Sequence, residues 1–226
     1  MSPTIGLVIP CYKPHIGLLS RVLWSINNQT RTPDMVIISC SSSEESDIPY
    51  KESDYNFPIK FFTHIEKRNV AQNRNFGSRQ LNTDIITYFD ADDIMHPQRI
   101  EIIYQCFLKY PNTRLFLHSL RIHPDNMNFP KYDINAINFE CDPCYVCRWG
   151  AVNHKHDTQA RIMNSNNAIP KKMFDELQFI ETPEGYGKED TLYNATIINK
   201  YGNDVVYCNC ELTWYFPSNT HGHDNS

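Results

Sequence analysis

The first half of the chain alternates short, unbroken apolar runs with stretches in which apolar residues recur every three or four positions. Residues 4–9 (TIGLVI) form such a run, stopped by Pro10, as expected of a central strand packed on both faces. Leu19, Val22, Leu23 and Ile26 follow at i, i+3, i+4, i+7 and predict a helix ending near Asn27 and Asn28. Residues 35–39 (MVIIS) predict a second strand, left through the polar stretch 40–46, and residues 59–64 (IKFFTH) a third. Residues 69–80 have helical composition with Gly77 late, and 85–89 (IITYF) read as a fourth strand. Ile100, Ile103, Tyr104, Phe107 and Leu108 then give a second clear helical face, closed by Pro111. Alternation of this kind predicts an α/β fold, a mostly parallel central sheet flanked by helices.

In such sheets ligands bind outside the carboxyl ends of the strands. Residues 10–12, 39–43 and 90–93 all lie at predicted strand ends, so three loops converge on one crevice. The fourth strand runs into Asp90, Asp92 and Asp93 around Ala91, carboxylates that repel one another without a positive neighbour. A divalent cation such as Mg²⁺ or Mn²⁺ fits, since it takes one or two carboxylates and completes its shell with water and phosphate oxygens. The competing reading is a helix N-terminus, with Pro97 at the first helical position and the acids in front of the helix dipole.

At 226 residues and 41% hydrophobic content the chain can bury one substantial core, and a single domain over 1–226 is expected. A net charge of −5 without like-charge runs argues against a nucleic-acid partner. No apolar run approaches the ~20 residues of a membrane span, and residues 5–9 are too short for a signal-peptide core. A soluble, cytoplasmic protein without transmembrane segment or signal peptide is the expectation. In that setting the eight cysteines read as reduced thiols or metal ligands. The irregular stretch 121–160 carries Cys141, Cys144 and Cys147 with His154 and His156. With Cys208 and Cys210 these offer ligands for a structural Zn²⁺, the alternative being reduced cysteines packing a loop.

Four landmarks stand in order: Val8-Ile9-Pro10-Cys11-Tyr12, Arg68 through Asn75 (RNVAQNRN), Tyr88 through Asp93 (YFDADD), and Lys188-Glu189-Asp190. Together, over roughly residues 4–202, they resemble the GT-A fold inverting glycosyltransferases of the family 2 type. The resemblance implies transfer of a sugar from a nucleotide-diphosphate sugar, a UDP-sugar by default, to a hydroxyl of a glycan or other acceptor. Residues 1–115 would form the nucleotide-sugar half and 116–226 the acceptor half. It further implies Mn²⁺ or Mg²⁺ on Asp92, with Asp90 reaching the ribose or sharing the metal. Pro10, Tyr12, Ser39, Arg74 and Ala91 would line the nucleotide. Asn167, with Asn166, would hydrogen-bond the sugar, cap the following helix or simply turn the chain.

The chemistry is consistent with those placements. Expelling a nucleoside diphosphate builds negative charge that a metal on Asp92 offsets. An inverting displacement needs a base on the opposite face of the sugar, from a segment remote from the metal. Glu189 and Asp190 meet that need at the start of a predicted helix ending at Tyr201 and Gly202; the resemblance makes Asp190 the base and Glu189 an acceptor-placing residue. Adjacent acids at a helix start also arise as plain dipole partners. Residues 212–216 (LTWYF) read as a last strand, and in the following tail His221 or His223 would complete the metal shell by resemblance, unless that tail is disordered.

The sequence departs from the family pattern where an aspartate pair usually ends the second strand; Ser39 and Cys40 stand there. The arginine- and tryptophan-rich motif of processive synthases is absent, so a single-addition enzyme is expected. Two rival functions remain: a zinc-braced, non-catalytic sugar- or protein-binding module on the same fold, and a sugar nucleotidyltransferase. The second would normally show a glycine- and lysine-bearing triphosphate loop, where residues 10–17 offer one of each.

Overall fold

The computed structural model describes residues 2–122, 126, 128–141, 145–146, 152–154, 157–161 and 166–216. The chain opens with β1 (Ile5–Tyr12), α1 (Leu19–Asn27), β2 (Met35–Ser41), β3 (Ile59–His64), α2 (Val70–Gln80) and β4 (Ile85–Tyr88). After the acidic turn come β5 (Ile94–Met95), α3 (Arg99–Lys109), β6 (Leu115–Ile122) and β7 (Phe139–Glu140). Short strands β8 (Tyr145–Val146), β9 (Val152–His154) and β10 (Asp157–Arg161) make a small separate sheet. The chain closes with β11 (Asn167–Pro170), α4 (Lys171–Glu176), α5 (Glu189–Tyr201) and β12 (Val205–Tyr215).

The main sheet has the order β3-β2-β1-β4-β11-β6-β12-β5, with β7 also on β12. Its first four strands are parallel, as the alternation predicts. The second half is mixed: β11 runs antiparallel between β4 and β6, while β6 and β12 pair in parallel. One apolar cluster joins α1 and α3 to one face of the sheet through residues such as Leu19, Ile26, Ile100 and Ile103. A second joins α2, α4 and α5 to the other through Ala71, Phe174, Tyr193 and Ile197. Both faces are thus covered, which is why the strands read as unbroken apolar runs.

Several boundaries differ from the sequence reading for identifiable reasons. β1 continues through Pro10 because its pairing with β4 has already ended at Val8 opposite Tyr88, so the missing N–H costs that ladder nothing. β2 continues to Ser41, still paired to both neighbours. The last strand begins at Val205, seven residues before the stretch read from sequence, because Tyr207, Cys208 and Cys210 are buried despite a broken alternation. α3 buries Ile102 and Cys106 as well as Ile100, Ile103 and Phe107, leaving Leu108 half exposed. α2 follows the sequence closely, opened by Asn69 in a capping box with Gln72.

Gly77 lets α2 lie close on the sheet. A Cβ there would stand 2.6 Å from Cγ1 of Val8, a fully buried β-branched side chain with little rotamer freedom. Gly77→Ala is expected to destabilise by about 1–3 kcal/mol through overpacking, despite alanine's better helix propensity. Urea unfolding reads the effect, and an unchanged or higher midpoint would refute it.

Candidate active site

The acidic turn sits where the central strands end. Phe89 N–H still donates to Val8 carbonyl oxygen, and Asp93 N–H reaches back to the Asp90 carbonyl over 3.4 Å, closing a turn around Ala91 and Asp92. β5 follows at once, and α3 starts only at Arg99 with Gln98 as its cap. The acids therefore belong to a sheet-end turn rather than to the first turn of a helix. Asp92 and Asp93 are buried, and Ala91 with them. Asp93 accepts from Phe216 N–H at 3.0 Å, while its Oδ2 has no hydrogen-bond partner among the described residues. Burial, then repulsion from Asp90, pushes Asp93 well above the usual carboxylate range.

Arg74 links this turn to the second acidic pair. Its side chain is almost wholly buried on α2, donating to Asp90 Oδ1 at 2.8 Å and to Glu189 Oε1 at 2.8 Å. Burial alone would lower its pKa, but the charges of Asp90, Glu189 and Asp190 outweigh burial and raise it. Residues about 16 and 115 positions from Arg74 are thereby fixed to one guanidinium fork. Asp190 lies beside them, its carboxylate accepting from Thr191 N–H at 2.6 Å. Burial, followed by repulsion from Glu189, raises Asp190 to about 6, with Arg74 opposing. A carboxylate tuned to that range suits proton abstraction near neutrality.

At the end of β2, Ser39 is sealed inside. Its hydroxyl donates to Asn73 Oδ1 at 3.0 Å and lies 3.1 Å from His64 Nε2, while Asn73 Nδ2 donates to the Cys11 carbonyl at 3.2 Å. Arg68 approaches the same His64 nitrogen at 3.2 Å. Desolvation lowers the His64 pKa, favouring a neutral ring that accepts at Nε2. Pro10 is buried opposite Ser39, and Tyr12, half-buried, places its ring 4.3 Å from that of His15. Asn167 is fully buried on β11 and donates through Nδ2 to Asn194 Oδ1 on α5 at 2.9 Å. It does not cap α4, whose cap position is Pro170.

The structure also gathers residues that the sequence reading passed over. Arg99, fully buried, donates through Nη2 to Thr87 Oγ1 at 2.8 Å and the Tyr88 carbonyl at 3.1 Å, and through Nε to His118 Nε2 at 3.1 Å. Burial lowers Arg99 to about 9, opposed by Asp90. A second buried cation thus lies against the last residues of β4. Its position in the first turn of α3 gave no hint in sequence, where an arginine normally reads as surface. His64 and Asn73 were legible only in outline, as the last residue of a predicted strand and a member of the 68–75 landmark.

No group of three or more His, Cys, Asp or Glu side chains is gathered to hold a metal among the described residues. A hard divalent cation would need one or two carboxylates here and oxygens from elsewhere, which is how Mg²⁺ is usually held on phosphate substrates. With Asp90 engaged by Arg74, Asp92 is the carboxylate available. His221 and His223 lie outside the described residues, as do Cys144, Cys147 and His156; His154 falls in β9, and Cys141 is exposed.

The family model described as Glycosyl transferase family 2 matches residues 7–173, spanning the first three landmarks. The chain belongs to glycosyl transferase family 2. Two Haemophilus influenzae proteins described as uncharacterized glycosyltransferases are 26% identical over 125 residues and 25% over 100. Those alignments cover 55% and 44% of this family 2 chain and 42% and 40% of the relatives, less than half of each relative's length. Among solved structures, S. aureus TarS 1–349 in complex with UDP-GlcNAc superimposes with a TM-score of 0.68 at 12% identity, covering 95% of this chain and 59% of that one. The TarS complex with UDP gives 0.65, with 95% and 61% covered. At that identity the likeness is one of fold, and it agrees with the GT-A architecture. No helix among the described residues of the family 2 chain is long and apolar enough to cross a membrane.

Proposed function

We propose that the chain moves a sugar from a nucleotide-diphosphate sugar to an acceptor hydroxyl, with inversion, in single additions. The observation that carries this reading is the Arg74 fork, which holds the acidic turn and the Glu189–Asp190 pair at one end of the sheet. Asp190 takes the proton of the acceptor hydroxyl, whose oxygen attacks the anomeric carbon as the bond to the diphosphate oxygen breaks. Its raised pKa supports the role, because a carboxyl near 6 is both ionised and basic enough at neutral pH. Glu189, held by Arg74, keeps the start of α5 in place beside it.

Asp92 is the residue we assign to Mn²⁺ or Mg²⁺, with Asp90 shared between Arg74 and the donor. A bound divalent cation supplies positive charge to the departing diphosphate. The TarS complexes with UDP and UDP-GlcNAc make a uridine nucleotide the first donor to try, and a glycan is the acceptor class we propose. The sealed network of Ser39, His64 and Asn73, in place of an acidic pair, would then brace the base or ribose pocket from behind.

Calorimetric titration of UDP, GDP, TDP and CMP, with and without Mn²⁺, tests the donor site on wild type and Asp92→Ala. One nucleotide is expected to bind wild type with Mn²⁺ and to lose at least about tenfold in affinity in Asp92→Ala, since one metal–carboxylate contact exceeds 1.4 kcal/mol. Failure of every nucleotide under every condition would sink the transferase reading. Equal affinity in both proteins would remove Asp92 from the metal site.

A further inference from the structure

After its first four residues the β12 ladder breaks. Cys208 stands opposite His118 on β6, but the next pair is Glu211 with Ser119, so Asn209 and Cys210 have no partner on that side. On the other side β7 pairs only Tyr207 and Cys208. The result is a bulge of the kind that bends a strand and re-aims its side chains. Asn209 is exposed, whereas Cys208 and Cys210 are buried and join the same apolar cluster. In a regular strand residues two apart are about 6.6 Å apart along the axis, near the upper limit for disulfide-bridged Cα atoms. Here the break in the ladder falls between the two cysteines.

Cys210 also lines a cavity of about 320 Å³ with Tyr132, Asp133, Ile137, Asn138 and Glu140, at the edge of the sheet. Burial raises the Cys208 thiol well above its usual range, while the neighbouring Cys208 sulfur holds Cys210 below it. Cys210, which lines the cavity while Cys208 does not, is thus the sulfur a small reagent can reach as thiolate, the form that reacts. The other adjacent pair, Cys11 and Cys40, faces across β1 and β2 but is sealed in the core.

We propose that Cys210 is a modification site that takes a small hydroperoxide through this cavity, with Cys208 as its resolving thiol. The Cys210 thiolate attacks one peroxide oxygen and the O–O bond breaks. The departing hydroxide or alkoxide takes a proton, leaving Cys210 as a sulfenic acid. The Cys208 sulfur then attacks the Cys210 sulfur, the S–O bond breaks, and the hydroxyl leaves with the Cys208 proton as water. Two thiols are oxidised by two electrons, one hydroperoxide is reduced to water or an alcohol, and a second water is released.

The test uses the full chain with one equivalent of hydrogen peroxide, alkylation of remaining thiols, proteolysis and mass mapping. The expected result is loss of two hydrogens on the peptide carrying residues 208 and 210, restored by dithiothreitol. In Cys208→Ser, Cys210 should stop at the sulfenic acid and carry a dimedone adduct; in Cys210→Ser the disulfide should vanish. Full alkylation of Cys210 in peroxide-treated wild type overturns the proposal, as does a disulfide joining Cys210 to Cys141. Should Cys208→Ser fail to fold, dimedone trapping of wild type in the first seconds gives the same decision: an adduct on Cys210 supports the site, and none overturns it.

Discussion

Asp190→Asn is expected to lower sugar transfer by about a hundredfold to ten-thousandfold, the contribution of general-base assistance. Wild-type transfer should rise through about pH 6 as Asp190 loses its proton. The same variant should gain stability. The folded-state pKa is raised from 3.8 to about 6, so the folded chain holds the proton over a window in which the unfolded chain has released it. Stability from this group is therefore full below about pH 4, falls between about pH 4 and 6, and stays low above. The asparagine variant escapes that loss. At pH 8 it should unfold above wild type by a few degrees, from an ionisation burden of up to about 3 kcal/mol, discounted for the partial exposure of the site. At pH 4 the two should unfold together. Near-wild-type transfer by Asp190→Asn would discard the base assignment; equal melting temperatures at pH 8 would discard the burial argument.

Arg74→Met should produce the largest loss of stability. It keeps the volume and the helix propensity of α2 but leaves Glu189, at 10% side-chain exposure, charged and buried without its partner. Removing one member of a buried pair costs about 3–5 kcal/mol, most of it the desolvated charge left behind. Asp90, at 27%, can recover part of its loss from water. The double variant Arg74→Met/Glu189→Gln should regain a good part of the stability, since the stranded charge is gone, and urea unfolding of wild type, Arg74→Met, Glu189→Gln and the double variant yields the coupling directly. A loss below about 1 kcal/mol in the single variant would show that the fork is not the tie between the acidic motifs. Transfer should fall in both variants, because Asp90 and the start of α5 lose their common anchor.

The sequence by itself determined the parallel half of the sheet. Residues 4–9, 35–39, 59–64 and 85–89 each became a strand, because a strand buried on both faces must be apolar at every position and such runs show in a single chain. The two clear helical faces were legible for the same local reason. The order of landmarks pointed to the family now established. What only the tertiary structure decided was non-local. β11 has four residues with Asn at one end and Pro at the other, too short for any periodicity, yet it fills the middle of the sheet because β4 and β6 offer it two open edges. Arg74 bridges Asp90 and Glu189, the second bond spanning 115 positions in the chain. Local pattern reports which face of an element is buried; which charges meet inside depends on how those faces are stacked, and folding alone sets that.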